Sequence, residues 1–140
     1  MDAIVMLRDD HAAVEKLFKK RESGDLGVVP RICDELETHA EIEAEVFYPS
    51  VRAEVQDQDD EVLEAVAEHH VVKLLIAELR ELDASDETYK AKATVLMENV
   101  RHHIEEEEGE MFPAVRSALG RKRLQEIGDL MGSARSALAG

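Results

Sequence analysis

Apolar side chains recur every three or four residues in four long stretches of the chain, and this periodicity constrains the fold most strongly. The spacing predicts amphipathic helices at about residues 3–22, 30–48, 60–82 and 87–119. The breaks between the helices are short, so consecutive helices must lie side by side in opposite directions. We therefore expect an all-α protein, an antiparallel up-down-up-down four-helix bundle with a short C-terminal helix.

The predicted helices pair into two hairpins, at about residues 1–57 and 59–118, which together form one domain over residues 1–118. Residues 119–140 are expected to form the short C-terminal helix and a tail that frays. The apolar stripe of the third helix includes Val66, and that of the fourth includes Val95.

Two prolines and a glycine mark expected changes along the helices. A proline ring inside a helix clashes with the preceding turn, so Pro49 should kink the second helix or end it near Tyr48. Pro113 should kink the fourth helix in the same way, and Gly120 should end it.

Composition and charge narrow the class of protein. Three Pro and seven Gly are too few for an all-β fold with many tight turns. A formal net charge of −15 argues against binding to nucleic-acid phosphates or to an anionic membrane surface. The chain has no apolar run long enough to span a bilayer and does not begin like a signal peptide, so we expect a cytoplasmic protein. The single cysteine, Cys33, is at helical spacing from Ile32 and Leu36 and is expected to pack in the core.

Each predicted helix carries a histidine on its apolar stripe, and two of these histidines have a glutamate one turn later. The histidines are His11, His39, His69 and His103, and the glutamates are Glu43 and Glu107. One such histidine is commonly a satisfied core residue, and one His-x3-Glu pair is an ordinary helical pair. Two buried, unpaired carboxylates in one small core would cost several kcal/mol each. Because metal coordination removes that cost, the combined pattern favours a metal site.

A repeat decides between overlapping His-x3-Glu pairs. The stretch HAEIEAEVFYP, which begins at His39, is echoed by HIEEEEGEMFP, which begins at His103. Aligning the final prolines places Glu43 on Glu107. By spacing alone, His102 and Glu106 would fit the His-x3-Glu pattern as well as His103 and Glu107 do. The repeat makes His102 and Glu106 the less favoured alternates.

A second alignment concerns the remaining two histidines. DDHAAVEKLF in the first helix aligns with AEHHVVKLLI in the third, which matches His11 with His69 and leaves His70 as a less favoured alternate. Each hairpin thus contributes one histidine and one His-x3-Glu pair. This twofold pattern predicts a site for two metals in the bundle core.

The donor types indicate which metal would bind. Four imidazoles and two carboxylates without a thiolate suit iron or manganese, whereas zinc would favour four-coordinate sites. If both carboxylates and a shared oxo or hydroxo group bridge two six-coordinate metals, about two positions stay open. Such a pair of metals can clamp a small molecule or exchange electrons with it.

The ordered pattern of His11, His39-x3-Glu43, His69 and His103-x3-Glu107, in which each pair is followed by an aromatic-Pro dipeptide, resembles the HHE cation-binding branch of the hemerythrin-like family. The resemblance covers nearly all of the chain to about residue 118. It implies two iron ions with an oxo or hydroxo bridge, in preference to manganese or zinc, that can meet dioxygen, nitric oxide or peroxide.

The chain departs from the oxygen carriers of that family in two places. They have a second histidine where this chain has Lys73, and an Asp five residues after the fourth-helix histidine where this chain has Glu107 after four. One imidazole fewer argues against reversible oxygen carriage and for a more open metal.

Tyr48 has no twin in the repeat, since Phe112 occupies the matching position. The ordinary interpretation is an amphipathic ring near a helix kink. The alternative is an additional metal ligand, or a hydrogen-bond donor to the site.

These features predict a di-iron protein that acts on small oxidants in oxidative or nitrosative stress, with peroxide disproportionation as its candidate activity. The alternative is a protein that binds or senses dioxygen, nitric oxide or iron without turnover. Iron storage and a purely structural metal are further alternatives. The sequence leaves the oligomeric state and the reductant open, and no catalytic residue beyond the ligands is assigned.

Overall fold

The computed structural model describes residues 1–139 and shows an all-α bundle, which confirms the predicted fold class. Its helices are α1 (Ala3–Glu22), α2 (Val29–Ile42), α3 (Tyr48–Glu54), α4 (Asp59–Glu81), α5 (Tyr89–Glu106) and α6 (Phe112–Ala139). A 3₁₀ turn at Leu26–Val28 precedes α2. Two π-helical segments, Glu43–Phe47 and Glu107–Met111, join α2 to α3 and α5 to α6. The four rods of the bundle are therefore α1, α2 with α3, α4, and α5 with the first part of α6.

Local sequence signals account for the helix starts. The Asp2 side chain accepts hydrogen bonds from the backbone N–H groups of Ile4 and Val5, which caps α1. Pro30 lies in the first turn of α2, where its missing N–H costs nothing. Acidic residues fill the first turn of α4 and complement the positive end of its dipole.

The prolines widen the helices and do not end them. In a regular helix the ring of Pro49 would clash with the carbonyl four residues earlier. The turn before it is π-helical, and the N–H of Tyr48 bonds the carbonyl of Glu43, five residues back. The second rod consequently continues to Glu54, past its predicted end near Tyr48. Pro113 is preceded by the same wide turn.

Two apolar clusters fill the bundle, one above and one below a layer of buried polar side chains. One cluster contains Leu7, Ile42, Phe47, Phe112 and Leu124. The other contains Phe18, Ile32, Cys33, Leu96 and Val100. Cys33 is 1% exposed, as its spacing predicts, and burial raises the pKa of its thiol to about 11. The polar layer between the clusters holds the predicted metal ligands.

Two predicted core positions are corrected. Val66 and Val95 are 48% and 45% exposed. The neighbouring Ala65 and Met97 are buried in their place. Ala65 has helical spacing from the buried Val62, and Met97 has helical spacing from the buried Ala93 and Val100, so these side chains share the faces that the bundle covers.

Gly120 interrupts the fourth rod, as predicted, with a left-handed backbone conformation (φ 76°) that suits glycine. The chain beyond it forms the expected C-terminal helix, which continues through Ala139 and so includes the residues that were expected to fray. Leu124, Ile127 and Met131 are 0% exposed and belong to the core. Their burial against the bundle makes the segment after Gly120 a fifth packed helix.

This fifth helix runs along α1 in the same direction. Gly128 lies against the start of α1, where an added Cβ would be 1.8 Å from the carbonyl oxygen of Met1, so only glycine fits. Farther along both helices, Arg135 contacts Asp10. The close approach at Gly128 fixes the register between the two helices.

Candidate metal centre

The side chains that the sequence singled out converge in the polar layer. They are His11 on α1, His39 on α2, His69 on α4, His103 on α5, and Glu43 and Glu107 at the starts of the two π-helical segments. Both glutamates are essentially unexposed, at 0% and 1%. Four helices must pack together to form this layer, so the site exists only in the folded bundle.

The six side chains form two groups, each with its donor atoms within 4.8 Å of one another. One group is His11, His39 and Glu107, and the other is Glu43, His69 and His103. Each group combines residues from both hairpins, which is the twofold arrangement that the repeat predicts.

The two carboxylates cross-link the hairpins. Oε1 of Glu43 lies 3.1 Å from Nε2 of His39 and 3.1 Å from Nε2 of His69. Oε1 of Glu107 lies 3.2 Å from Nε2 of His11, and Oε2 of Glu107 lies 3.3 Å from Nε2 of His103. Each carboxylate therefore faces one imidazole of its own hairpin and one of the other.

Several of these buried atoms have no hydrogen-bond partner despite their short separations. They are Nε2 of His11, Nε2 of His39, both carboxylate oxygens of Glu43 and Oε1 of Glu107. Buried polar atoms are nearly always satisfied, because each unsatisfied one costs about 1–3 kcal/mol. Here the unsatisfied atoms are the donor atoms that metals take from histidine and glutamate, so the residues present fit a pair of metal ions.

Outer carboxylates hold three of the imidazoles by the opposite nitrogen. Nδ1 of His39 donates to Asp10 at 2.8 Å, and Nδ1 of His103 donates to Glu68 at 2.7 Å. A bond of this kind leaves the Nε2 lone pair free for a metal and fixes the ring orientation. Nδ1 of His11 lies 2.6 Å from Glu108 in the same way.

These outer carboxylates were not predicted from the sequence, although a signal was present. Asp10 precedes His11 and Glu68 precedes His69, yet each bonds the other histidine of its own hairpin. The twofold pattern thus extends to this outer layer. It breaks at Glu108, because the matching position in the first hairpin is Ala44.

The crowding of charges shifts the pKa values of the metal-free site. Burial disfavours the charged ring of His39, but the charge of Glu43 and the bond to Asp10 outweigh it and raise the pKa of His39 to about 10. Burial also opposes the charged form of His103, whereas Glu107 raises its pKa to about 10. Burial alone would raise the pKa of the Glu43 carboxyl, yet His39 holds it well below the usual value.

Tyr48 lies inside the site. Its hydroxyl donates to Oε2 of Glu107 at 2.6 Å and is 3.2 Å from Nε2 of both His69 and His103. Because the turn between them is π-helical, Tyr48 lies on the same side of the helix as Glu43. In a regular α-helix, five residues would turn the Tyr48 side chain about 140° away from Glu43. Burial, and then the charges of Glu43 and Glu107, raise the pKa of its phenol far above the usual value. The twin residue Phe112 stacks on His11 at 5.8 Å.

The alternates lie away from the buried layer. His70 is exposed, and the side chain of His102 is 65% exposed and contacts Glu106 at 2.7 Å. His102 and Glu106 form a cluster nearer the surface with Glu68, the carboxylate that also bonds His103. The register that the repeat selects is the one that faces the core.

A small cavity of about 40 Å³ opens beside the imidazoles. Its lining combines the four histidines with apolar side chains, namely Val14, Leu36, Ala40, Val72, Val100 and Ile104, and with Asp10. A cavity needs about 10–15 Å³ to hold one water molecule, so this one admits a molecule of a few atoms.

Comparisons with known proteins identify the family and the fold. The sequence model described as the hemerythrin HHE cation binding domain matches residues 2–115. A protein named DNA nickase from Nostoc sp. (strain PCC 7120) is 29% identical over 126 residues, which is 86% of this chain and 35% of that protein. The chain thus spans about a third of that relative's length. The crystal structure of a hemerythrin HHE cation binding domain-containing protein from Mycobacterium kansasii superposes with a TM-score of 0.79, at 21% identity, over 98% of this chain and 89% of that one.

Proposed function

The chain belongs to the hemerythrin HHE cation-binding domain family, and from that premise we propose that it is a non-haem di-iron protein that binds small oxidants and reacts with them. The observation that carries the proposal is the set of buried, unpartnered nitrogen and oxygen atoms that face one another across the polar layer. The residues that would hold the irons are His11, His39, Glu43, His69, His103 and Glu107.

The donor set favours iron or manganese over zinc, and we propose iron. Imidazole and carboxylate donors without thiolate suit iron and manganese, and two groups of three donors leave positions open around each metal. Zinc with three protein ligands and one water would not use carboxylates that face both groups. Iron bound here would supply one-electron redox chemistry.

The chain's own residues limit what can reach the site. The cavity beside the four imidazoles is lined mainly by aliphatic side chains, so it favours small molecules with little charge. Dioxygen, nitric oxide and hydrogen peroxide satisfy both the size and the polarity. The Tyr48 hydroxyl donates its one hydrogen to Glu107 at 2.6 Å and holds this carboxylate in position. It could donate to a bound ligand only in place of that contact.

We further propose that hydrogen peroxide is disproportionated here to dioxygen and water, which fits a cytoplasmic role in oxidative or nitrosative stress. No helix within residues 1–139 is long and apolar enough to cross a membrane. The nickase activity that names one relative is not extended to this chain, because a net charge of −15 opposes contact with DNA phosphates.

Metal analysis, the visible spectrum and oxygen evolution from peroxide together test the proposal on purified, iron-loaded protein. We expect two irons per chain, absorption bands of a bridged ferric pair, and oxygen evolution faster than with an equal amount of free iron. The control is His70→Ala, which removes an exposed imidazole and should change none of these, whereas His39→Ala should lower the iron content.

Each outcome has a definite meaning. One zinc per chain, or full iron content in His39→Ala, would overturn the di-iron assignment. Two irons with reversible uptake of nitric oxide or dioxygen, but with oxygen evolution no faster than free iron gives, would replace turnover by binding or sensing.

A further inference from the structure

Arg135 links the C-terminal helix to the candidate metal centre. It lies near the end of α6, beyond residues 2–115 that the family model matches. Its Nη1 and Nη2 atoms donate to Oδ1 and Oδ2 of Asp10 at 3.0 and 2.5 Å. Oδ2 of Asp10 also accepts the bond from Nδ1 of His39 at 2.8 Å. A continuous chain of charged contacts therefore runs from α6 to one proposed ligand.

The link exists on only one side of the twofold site. Glu68 holds His103 as Asp10 holds His39. Among residues 1–139, however, no lysine or arginine lies within ion-pair distance of Glu68. Arg135 thus acts on the group formed by His11, His39 and Glu107, and not on the other group.

The packing of the C-terminal helix against α1 fixes the position of Arg135 beside Asp10. Gly128 presses against the carbonyl of Met1, and Ile127 and Met131 on the same helix are 0% exposed. The Arg135 guanidinium donates to both carboxylate oxygens of Asp10, and this bidentate geometry fixes the orientation of the carboxylate as well as its position. An aspartate held by a single imidazole would be free to rotate.

We propose that Arg135 is a positioning residue for this half of the metal centre: it orients Asp10, which in turn orients the His39 ring toward the metal. The proposal rests on the proposed metal-binding function. Because coupling between two sites is reciprocal, a bound metal should also stabilise the C-terminal part of α6.

Chelator-driven release of iron from the loaded full-length chain tests the idea. Loss of a carboxylate that orients a metal-bound histidine typically costs 10- to 100-fold in affinity, so Asp10→Asn should speed release of one ion by about that factor. Arg135→Gln should speed release of the same ion by about tenfold, the lower end of that range, and leave the second ion unchanged. Arg135→Lys, which keeps the charge without the two-pronged contact, should be intermediate.

The chain offers a matched control on the same helix. Arg123 makes a two-pronged ion pair with Glu54, both contacts at 2.7 Å, and Glu54 contacts no proposed ligand. Arg123→Gln should release both ions at the wild-type rate. The double variant Asp10→Asn with Arg135→Gln should behave like Asp10→Asn alone, because Arg135 acts only through Asp10.

Amide hydrogen exchange gives a readout that does not depend on release. Iron loading should slow exchange over residues 121–139 in the wild type and in Arg123→Gln, and this slowing should be lost in Arg135→Gln. If Arg135→Gln releases both ions as slowly as Arg123→Gln, the inference is overturned while the metal site stands. If the wild type takes up no iron, the proposed function itself fails and the inference with it. If Arg135→Gln does not fold, Arg135→Lys decides, since release at the wild-type rate would reject the positioning role.

Discussion

Replacing Tyr48 by phenylalanine removes one oxygen atom from the centre of the polar layer and little else. The hydroxyl that is lost donates to Oε2 of Glu107 at 2.6 Å, and both residues are buried, at 2% and 1% exposure. A hydrogen bond to a charged group contributes about 1.5–3 kcal/mol to stability. We expect Tyr48→Phe to lower the free energy of unfolding of the metal-free protein by that amount, which corresponds to a drop in Tm of about 5–10 °C for a chain of this size.

The other tyrosine of the chain is the matched control. Tyr89 is also buried, at 5% exposure, but its hydroxyl makes no hydrogen bond to another part of residues 1–139. Tyr89→Phe should therefore change the free energy of unfolding by less than about 0.5 kcal/mol. Urea unfolding followed by circular dichroism measures both variants, and an unchanged slope shows that they unfold between the same states.

Two results would refute the reasoning about Tyr48. If Tyr48→Phe and Tyr89→Phe are equally stable without metal, the contact with Glu107 contributes nothing. In the iron-loaded protein, loss of this contact should shift the visible bands, since it changes the electron density of a carboxylate that is proposed to hold the iron. An unchanged spectrum with unchanged iron content would reject a direct Tyr48 ligand.

Three further predictions concern protons, register and helix contact. His39 and His103 each have a pKa raised from 6.5 to about 10, so both are positively charged imidazolium rings at pH 8 in the metal-free protein. Metal binding should therefore release roughly two protons at pH 8, and fewer as the pH rises through 10. Calorimetry in buffers of different ionisation enthalpy measures the proton release, and no release would contradict the prediction. His103→Ala should abolish binding of at least one iron, whereas His102→Ala should retain both by metal analysis. Gly128→Ala should destabilise the protein by about 1–3 kcal/mol in urea unfolding, because its Cβ would meet the Met1 carbonyl; wild-type stability would show that α6 does not depend on this contact.

Periodicity was enough to predict the bundle, and the repeat was enough to predict which of two adjacent histidines faces the core. A one-residue change of register turns a side chain by about 100° around a helix, so His102 at 65% exposure and the buried His103 are sharply distinguished. The alignment of Pro49 with Pro113 works because both prolines follow the same π turn. Local patterns of this kind repeat wherever the same local structure repeats.

What the sequence did not predict depends on contacts between distant segments. The sequence around Arg135 contains no sign of a metal site, since the partner of Arg135, Asp10, is at the other end of the chain. The cross-pairing of Glu68 with His103 likewise requires two helices to be placed side by side. Val66 was wrongly predicted to be buried because Ala65 and Val66 both have helical spacing from Val62, and only the contacts with other helices decide that Ala65 is the buried one.

The departures from twofold symmetry make the two halves of the site chemically different. Tyr48 lies beside His69 and His103, whereas its twin Phe112 stacks on His11. Asp10 pairs with Arg135, whereas its counterpart Glu68 has no arginine or lysine partner within residues 1–139. Two identical half-sites would fill together, but these differ in charge and in hydrogen bonding near the metal. Titration with ferrous iron under anaerobic conditions should therefore show two binding steps of different affinity, and Arg135→Gln should weaken one step only. A single step with two equal ions would mean that the residues which break the repeat have no influence on the metals.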